Sequence, residues 1–232
     1  MPVIASDIKF WFPINQVEND TATAGGDIQA DNHASGGVKA VFTDIAATDT
    51  IQALSDGADI RQITITGRLA SGVVTSETLT LAGATPQTTT NQYERLMKAV
   101  LASKDATRTV TVRRTTGATT IATLEANVIA ARRLFYNSSS SAVQEDRYEL
   151  VYAKNHHATL AVLSTLVNLT TDGQSVFVFG LAAAKGAQST ITNRKTAPAG
   201  ISFVEESNPQ VVPTGSLSAG EYIGVWLRQR LA

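Results

Sequence analysis

The 232-residue chain contains no cysteine. Disulfides, thiolate metal sites and cysteine nucleophiles are therefore excluded, and the fold must hold by core packing or by association with neighbours. Histidine is nearly as scarce: of three, His156 and His157 are adjacent and His33 stands far off. Charge is sparse too, at 17% of residues, against roughly 25% in ordinary globular domains. The formal net charge of −1 leaves no broad basic field to steer the chain to nucleic acid. No run approaches the ~18 apolar residues of a membrane span. The opening "MPVIASDIKFWFPINQ" lacks the basic start and apolar core of a secretion signal. A soluble product made in the cytoplasm is the expectation. No G-x-S-x-G, P-loop or G-x-G-x-x-G motif occurs.

Hydrophobic residues make up 43% of the chain, enough for an ordinary core. Thr, Ser and Ala fill the place of the missing charge. A surface rich in threonine and poor in charge suits β-structure, and it suits a protein that hides surface in an assembly.

The pattern along the chain is mainly β. "SDIKFWFPI" reads as a short aromatic strand stopped by Pro13, with Phe10 and Phe12 on one face and Trp11 on the other. Residues 15–37 read as a long polar loop with turns at Gly25-Gly26 and Gly36-Gly37, a candidate arm that orders on docking. "RQITITGRL" and "SETLTLAG" alternate as two strands of a hairpin. Tyr93, Leu96, Met97, Val100 and Leu101 fall at helical spacing, with Asn91 and Glu94 as a capping box, which predicts a short helix. "TRTVTVRR" and "TTIATLEANVI" add strands, so residues 58–129 form a β-β-α-β-β unit within an N-terminal module spanning 1–136. Ser-rich residues 137–143 are the linker candidate. Residues 144–232 carry about six strand-length segments separated by turns, which fits a β-sandwich or jelly-roll-like domain. The expected fold class is thus mainly β with one or two short helices.

Adjacent residues on a strand point to opposite faces, so His156 and His157 cannot easily share an ion. "KNHHAT" reads as a turn between strands. Asp27 and Asp31 lie in a Gly-rich loop without the D-x-D-x-D-G spacing of a calcium site. Glu145-Asp146 and Glu205-Glu206 are simple doublets beside turns. The sequence therefore offers no catalytic, cofactor-binding or metal-ligating set. Its interaction candidates are Trp11 and Phe12 in the first strand, and Trp226, Arg228 and Arg230 in the last. Trp and Arg are enriched at interface hot spots, and alternate arginines on a strand share a face that can pair with a partner subunit.

"SDIKFWF", "YAKNHHATLAVLSTLVNL", "TNRKTAPAGISF" and "LSAGEYIGVWLRQR" resemble a family of structural proteins of tailed bacteriophages. Its members open with a short aromatic strand. A later β-domain carries an aromatic-x-K-N strand end, a T-A-P-x-G-x-x-F turn and a closing strand with an Arg pair. Here Arg228-Gln229-Arg230 replaces that pair. The block from Ile63 to Leu96 also resembles small β-rich modules of phage particle proteins. The resemblance implies a virion component without chemistry. For such a building block the expected partners are copies of itself, in a trimer or hexamer, and other particle proteins. A tail, baseplate or fibre-attachment part is the leading role and a capsid decoration or cement protein the alternative, with a host-surface glycan as a further partner. Two other classes stand beside it. One is a carbohydrate-binding or adhesin-like module using exposed aromatics. The other is a glycan hydrolase, which needs two carboxylates ~5–10 Å apart in a cleft.

Overall fold

The computed structural model describes residues 4, 7–15, 20–30, 37–41, 45–135, 144–169, 177–205 and 208–231. The expected linker at 137–143, His33 and Asp31 lie outside them. Strands β1 (Ile8–Trp11), β2 (Pro13–Asn15) and β3 (Ala24–Ile28) open the chain. Then come β4 (Gly37–Val41), β5 (Ile51–Ser55), β6 (Gln62–Arg68), β7 (Val74–Thr80), β8 (Gln87–Thr88), β9 (Arg95–Leu101), β10 (Val110–Arg114), β11 (Thr120–Leu124) and β12 (Val128–Arg133). The last part holds β13 (Glu145–Asn155), β14 (Val162–Leu163), β15 (Leu166–Val167), β16 (Phe177–Leu181), β17 (Ser189–Ile191), β18 (Gln210–Val211), β19 (Ser216–Leu217) and β20 (Tyr222–Leu231). The fold is mostly β and sandwich-like, as expected. Helical structure is confined to short 3₁₀ turns such as Thr116–Ala118 and Pro213–Gly215, and no helix of seven residues or more occurs among the described residues. None is long and apolar enough to cross a membrane.

The chain divides into two compact units: a middle unit of residues 29–136, and a terminal unit of residues 1–28 with 137–232. The sequence reading set its linker at 137–143, outside the described residues, and grouped residues 1–28 with the N-terminal module; here they belong to the terminal unit. The reason is strand pairing: β1 lies antiparallel to β13, Ile8 opposite Asn155 and Trp11 opposite Tyr152.

In the middle unit β4, β12, β9, β6 and β7 are successive neighbours, with β4 and β12 parallel and the rest antiparallel. A second sheet runs β11-β10-β5-β8. The alternation read in β6 holds: Ile63 and Ile65 are fully buried, while Thr64 and Thr66 turn outward and bond to Thr78 and Ser76 across β7. Ile51, Ala53, Val110, Val112 and Leu124 fill the same core from the second sheet.

The expected helix at 93–101 is strand β9. Between Thr66↔Lys98 and Gly67↔Leu96 the register skips Met97, a β-bulge. The bulge shifts the period-2 phase by one residue, so Leu96 and Met97 are both buried, followed by Ala99 and Leu101. That phase shift counterfeits helical spacing. The strand needs Gly67, where a Cβ would stand 2.4 Å from the buried Tyr93 ring. Nor is Asn91 a helix cap: Thr90 N, Asn91 N and Asn91 Nδ2 donate to the Glu77 carboxylate, and Glu94 pairs with Arg68.

In the terminal unit β16, β20, β13 and β1 form an antiparallel run. A smaller sheet, β17-β3-β2, is antiparallel too. Part of the expected 15–37 loop is therefore strand β3. Gly25 sits there at φ +97°, and a Cβ on it would stand 2.1 Å from Ser189 O, so the glycine pair serves a close strand crossing instead of a turn. The small sheet is tied to the main run by side chains. Tyr152 Oη donates to Gly26 O, Trp226 Nε1 donates to Ser189 Oγ at 3.0 Å, and Tyr222 Oη donates to Asp27 Oδ1 at 3.3 Å. Burial pushes the Tyr152 phenol well above its ordinary pKa, with the Tyr222 and Asp27 charges adding to it.

Truncating Ile65 to Ala is expected to cost about 2–4 kcal/mol through lost burial and a residual cavity. Thr64→Ala next to it is expected to stay within about 0.5 kcal/mol. Urea midpoints of the two variants check the inward–outward alternation of β6.

Candidate functional site

The histidine pair follows β13. His156 N donates to Asp7 O at 2.7 Å, and its ring lies 6.4 Å from that of Trp11. His157 faces its own turn: Nδ1 accepts from Thr159 N at 3.1 Å and from Leu160 N at 3.0 Å. A ring nitrogen that accepts two amides acts as a turn cap. Asn155, fully buried, holds the same turn through Nδ2, which donates to Leu160 O and Leu217 O. The described residues contain no group of three or more acidic or imidazole side chains fit to hold a metal ion.

The five interface candidates divide sharply. Trp11, Phe12 and Trp226 are at most 1% exposed and build the core of their own unit. They are corrected from interface anchors to core residues: Trp11 and Phe12, successive residues at the end of the first strand, are both buried, which the sequence did not show. Arg228 and Arg230 turn toward Asp146 of the neighbouring strand, as the β13–β20 register requires. Arg230 Nε donates to Asp146 Oδ1 at 2.9 Å, Arg228 Nη1 stands 3.8 Å from Oδ2, and the Arg228 guanidinium lies 5.8 Å over the Phe203 ring. Their salt bridges are internal. The hydrogen bond from Arg230, opposed by burial and helped by the Arg228 charge, holds the Asp146 carboxyl below the usual carboxylate range.

A second charge cluster lies along β13. Glu145, Arg147 and Glu149 occupy alternate positions of one strand and share a face. β1 is only four residues long, and its pairing with β13 stops at Tyr152. Farther along, Tyr148 N donates to Arg194 O at 2.8 Å. The Arg194 side chain is fully buried, and Nη2 donates to Glu149 Oε1 at 2.9 Å. Arg147 grips Asp20 with Nε and Nη2, both at 2.8 Å, and contacts Glu145 at 2.6 Å. Lys195 Nζ donates to Glu145 Oε1 at 3.0 Å. The hydrogen bond from Lys195, then that from Arg147, holds the Glu145 carboxyl below its ordinary range. The sequence showed these residues only as scattered doublets. Every carboxylate in the cluster faces a cation, an arrangement that fixes loops and leaves no acid–base pair poised over open space.

What the terminal unit leaves outside is apolar. Strands β14 and β15 pair with β19 and β18 to form a narrow ribbon. Leu163, Leu166 and Val211 on it are 75%, 57% and 63% exposed. No charged residue occurs from Leu160 to Leu169 or from Asn208 to Leu217. "ATLAVLSTLVNL" reads in sequence only as a strand-length segment, because an apolar run facing a partner looks the same as one facing a core. Aromatic rings are missing from the large hydrophobic side chains that are exposed among the described residues. An adhesin-like sugar platform is therefore without its usual surface there.

Arg194 and Glu149 generate a double-variant test. Glu149→Gln is expected to destabilise the chain by about 1–3 kcal/mol, because it removes the nearer counter-charge of a buried guanidinium and leaves only Asp20, 3.9 Å from Nη1. Arg194→Met with Glu149→Leu together is expected to cost less than either single change. Denaturant unfolding of the three variants decides it.

Asp146 gives a pH test. A carboxyl whose folded pKa is depressed contributes stability above its unfolded pKa, near 4, and loses it as pH falls through the folded value. Asp146→Asn is expected to lower stability at pH 7, with the gap to the unsubstituted chain closing below about pH 4. Urea unfolding at pH 7 and pH 3 measures it.

No protein-family model, no curated protein and no solved structure matches the chain.

Proposed function

We propose that the chain is a non-enzymatic structural component of a tailed-phage virion that works by subunit–subunit binding, in a tail, baseplate or fibre-attachment role. The observation that carries the reading is the outward-facing ribbon of Leu163, Leu166 and Val211, uncharged along both strands. A protein that acts alone in water rarely leaves such a contiguous apolar surface open. Two further observations support it. The residue types that would do chemistry are held in structural roles: His157 caps a turn, and Asp20, Glu145, Asp146 and Glu149 are ion-paired. Four of the stretches that resemble tailed-phage proteins fall in the terminal unit, while the phage-like block Ile63–Leu96 lies in the middle unit. Three of them contribute the neighbouring strands β1, β13 and β20, and "TNRKTAPAGISF" supplies Arg194 beside β13.

Two measurements test it. Light scattering of the purified chain is expected to give a discrete trimer or hexamer, and a monomer at every concentration counts against the reading. Gold-labelled chain in electron micrographs of assembled particles is expected on the tail or baseplate. Label over the capsid shell moves the role to head decoration, and absence from particles overturns it.

A further inference from the structure

The sheets of this chain end unequally. Strand β16 is stoppered: Phe179 exchanges two backbone hydrogen bonds with Val204, at 3.0 and 2.8 Å, and Leu181 N donates to Gln210 Oε1 at 2.9 Å. Strand β7 has β6 on one side and no strand on the other among the described residues. It is seven residues long and carries neither lysine nor proline, the residues that usually blunt a sheet edge. Its only charge, Glu77, turns to accept from Thr90 and Asn91. The outward side chains Val74, Ser76, Thr78 and Thr80 are exposed, as is Val73 in the preceding turn. An unprotected, uncharged edge of this length is a template for another strand.

The ribbon is the second half of the pair. Each of its short ladders has only two strands, so backbone groups on its outer sides have no strand partner among the described residues. Its exposed side chains are leucine and valine without charge. It needs an apolar, uncharged surface that also offers strand edges. The β7 edge, with Val73, Val74 and the methyl groups of its threonines, meets each of those requirements. A symmetric pairing of two β7 edges would leave the leucines uncovered, and a symmetric pairing of two ribbons would leave β7 open. Using the two different surfaces against each other satisfies both.

Resting on the assembly reading above, we propose that copies of this chain join head to tail, the Leu160–Leu169 ribbon of one copy docking on the β7 edge of the next. The contact is heterologous, and a heterologous contact closes into a ring or runs on as a filament. It accounts for a trimer or hexamer without a two-fold axis.

The chain's lack of cysteine makes the test clean. Leu166→Cys and Ser76→Cys are made separately, and both positions are exposed or outward-facing, so folding is preserved. With a short bis-maleimide linker, a mixture of the two variants is expected to give linked dimers, while each variant alone stays unlinked. The double variant is expected to give a ladder of linked oligomers. Linking of either single variant to itself, or linking within one chain of the double variant, overturns the proposal, as does no linking in a preparation that light scattering shows to be oligomeric. A chain that is monomeric throughout overturns the assembly reading itself, so the two failures are distinguishable. As a second measurement, Leu163→Asp is expected to weaken self-association about tenfold or more with an unchanged circular dichroism spectrum. Unaltered association of this variant also overturns the proposal.

Discussion

The terminal unit depends on one constraint: strand β13 is eleven residues long and buried on both faces for most of its length. A central strand of this kind must satisfy its backbone on both edges along its whole span. β20 does so along one edge, over ten residue pairs. On the other edge β1 reaches only from Asn155 to Tyr152. The rest is completed by a turn, and a turn does not hold itself against a sheet by a ladder. Arg194 holds it instead, accepting at its carbonyl from Tyr148 and reaching Glu149 with its guanidinium. Asp20 is drawn to the same place by Arg147. The buried Arg194–Glu149 pair and the partly exposed Arg147–Asp20 pair are thus the means by which two irregular segments substitute for a missing strand. A buried pair adds little net stability over an apolar one, but it penalises every arrangement that separates its partners. That is the property a substitute strand needs.

The sequence made the β content and the alternation of β6 and β7 legible because each alternating residue reports its own burial. The same local signal failed at β9. One extra residue at the bulge moved Leu96 and Met97 to adjacent buried positions, and the spacing then matched a helix. Gly25-Gly26 misled for a related reason. Two glycines usually announce a turn, yet here they permit positive φ and a close crossing inside a strand. The place of residues 1–28 was not readable at all, since it depends on β1 pairing with residues more than a hundred positions away. Of the candidate site residues, the aromatic anchors failed because Trp11, Phe12 and Trp226 are large enough to serve either as core or as hot spot. The histidine turn was legible because Asn155 and the adjacent strand end define it locally.

The distribution of charge carries the functional argument furthest. Charged residues are few, yet Asp49, Asp59, Arg132, Arg133, Arg147, Glu149 and Arg194 are buried. Meanwhile Leu163, Leu166, Val211, Val73 and Val74 are largely exposed. These outward residues are exceptions to an ordinary core, in which most large aliphatic side chains are buried. A chain that folds to function alone gains nothing from them, because outward leucines invite indiscriminate association. They are coherent with a surface that neighbours complete. The guarded edge at β16 and the open edge at β7 point the same way. A chain that merely tolerated exposed strand edges would have no reason to seal one with Val204 and Gln210 while leaving the longer one free of lysine, proline and any strand partner beyond β6 among the described residues.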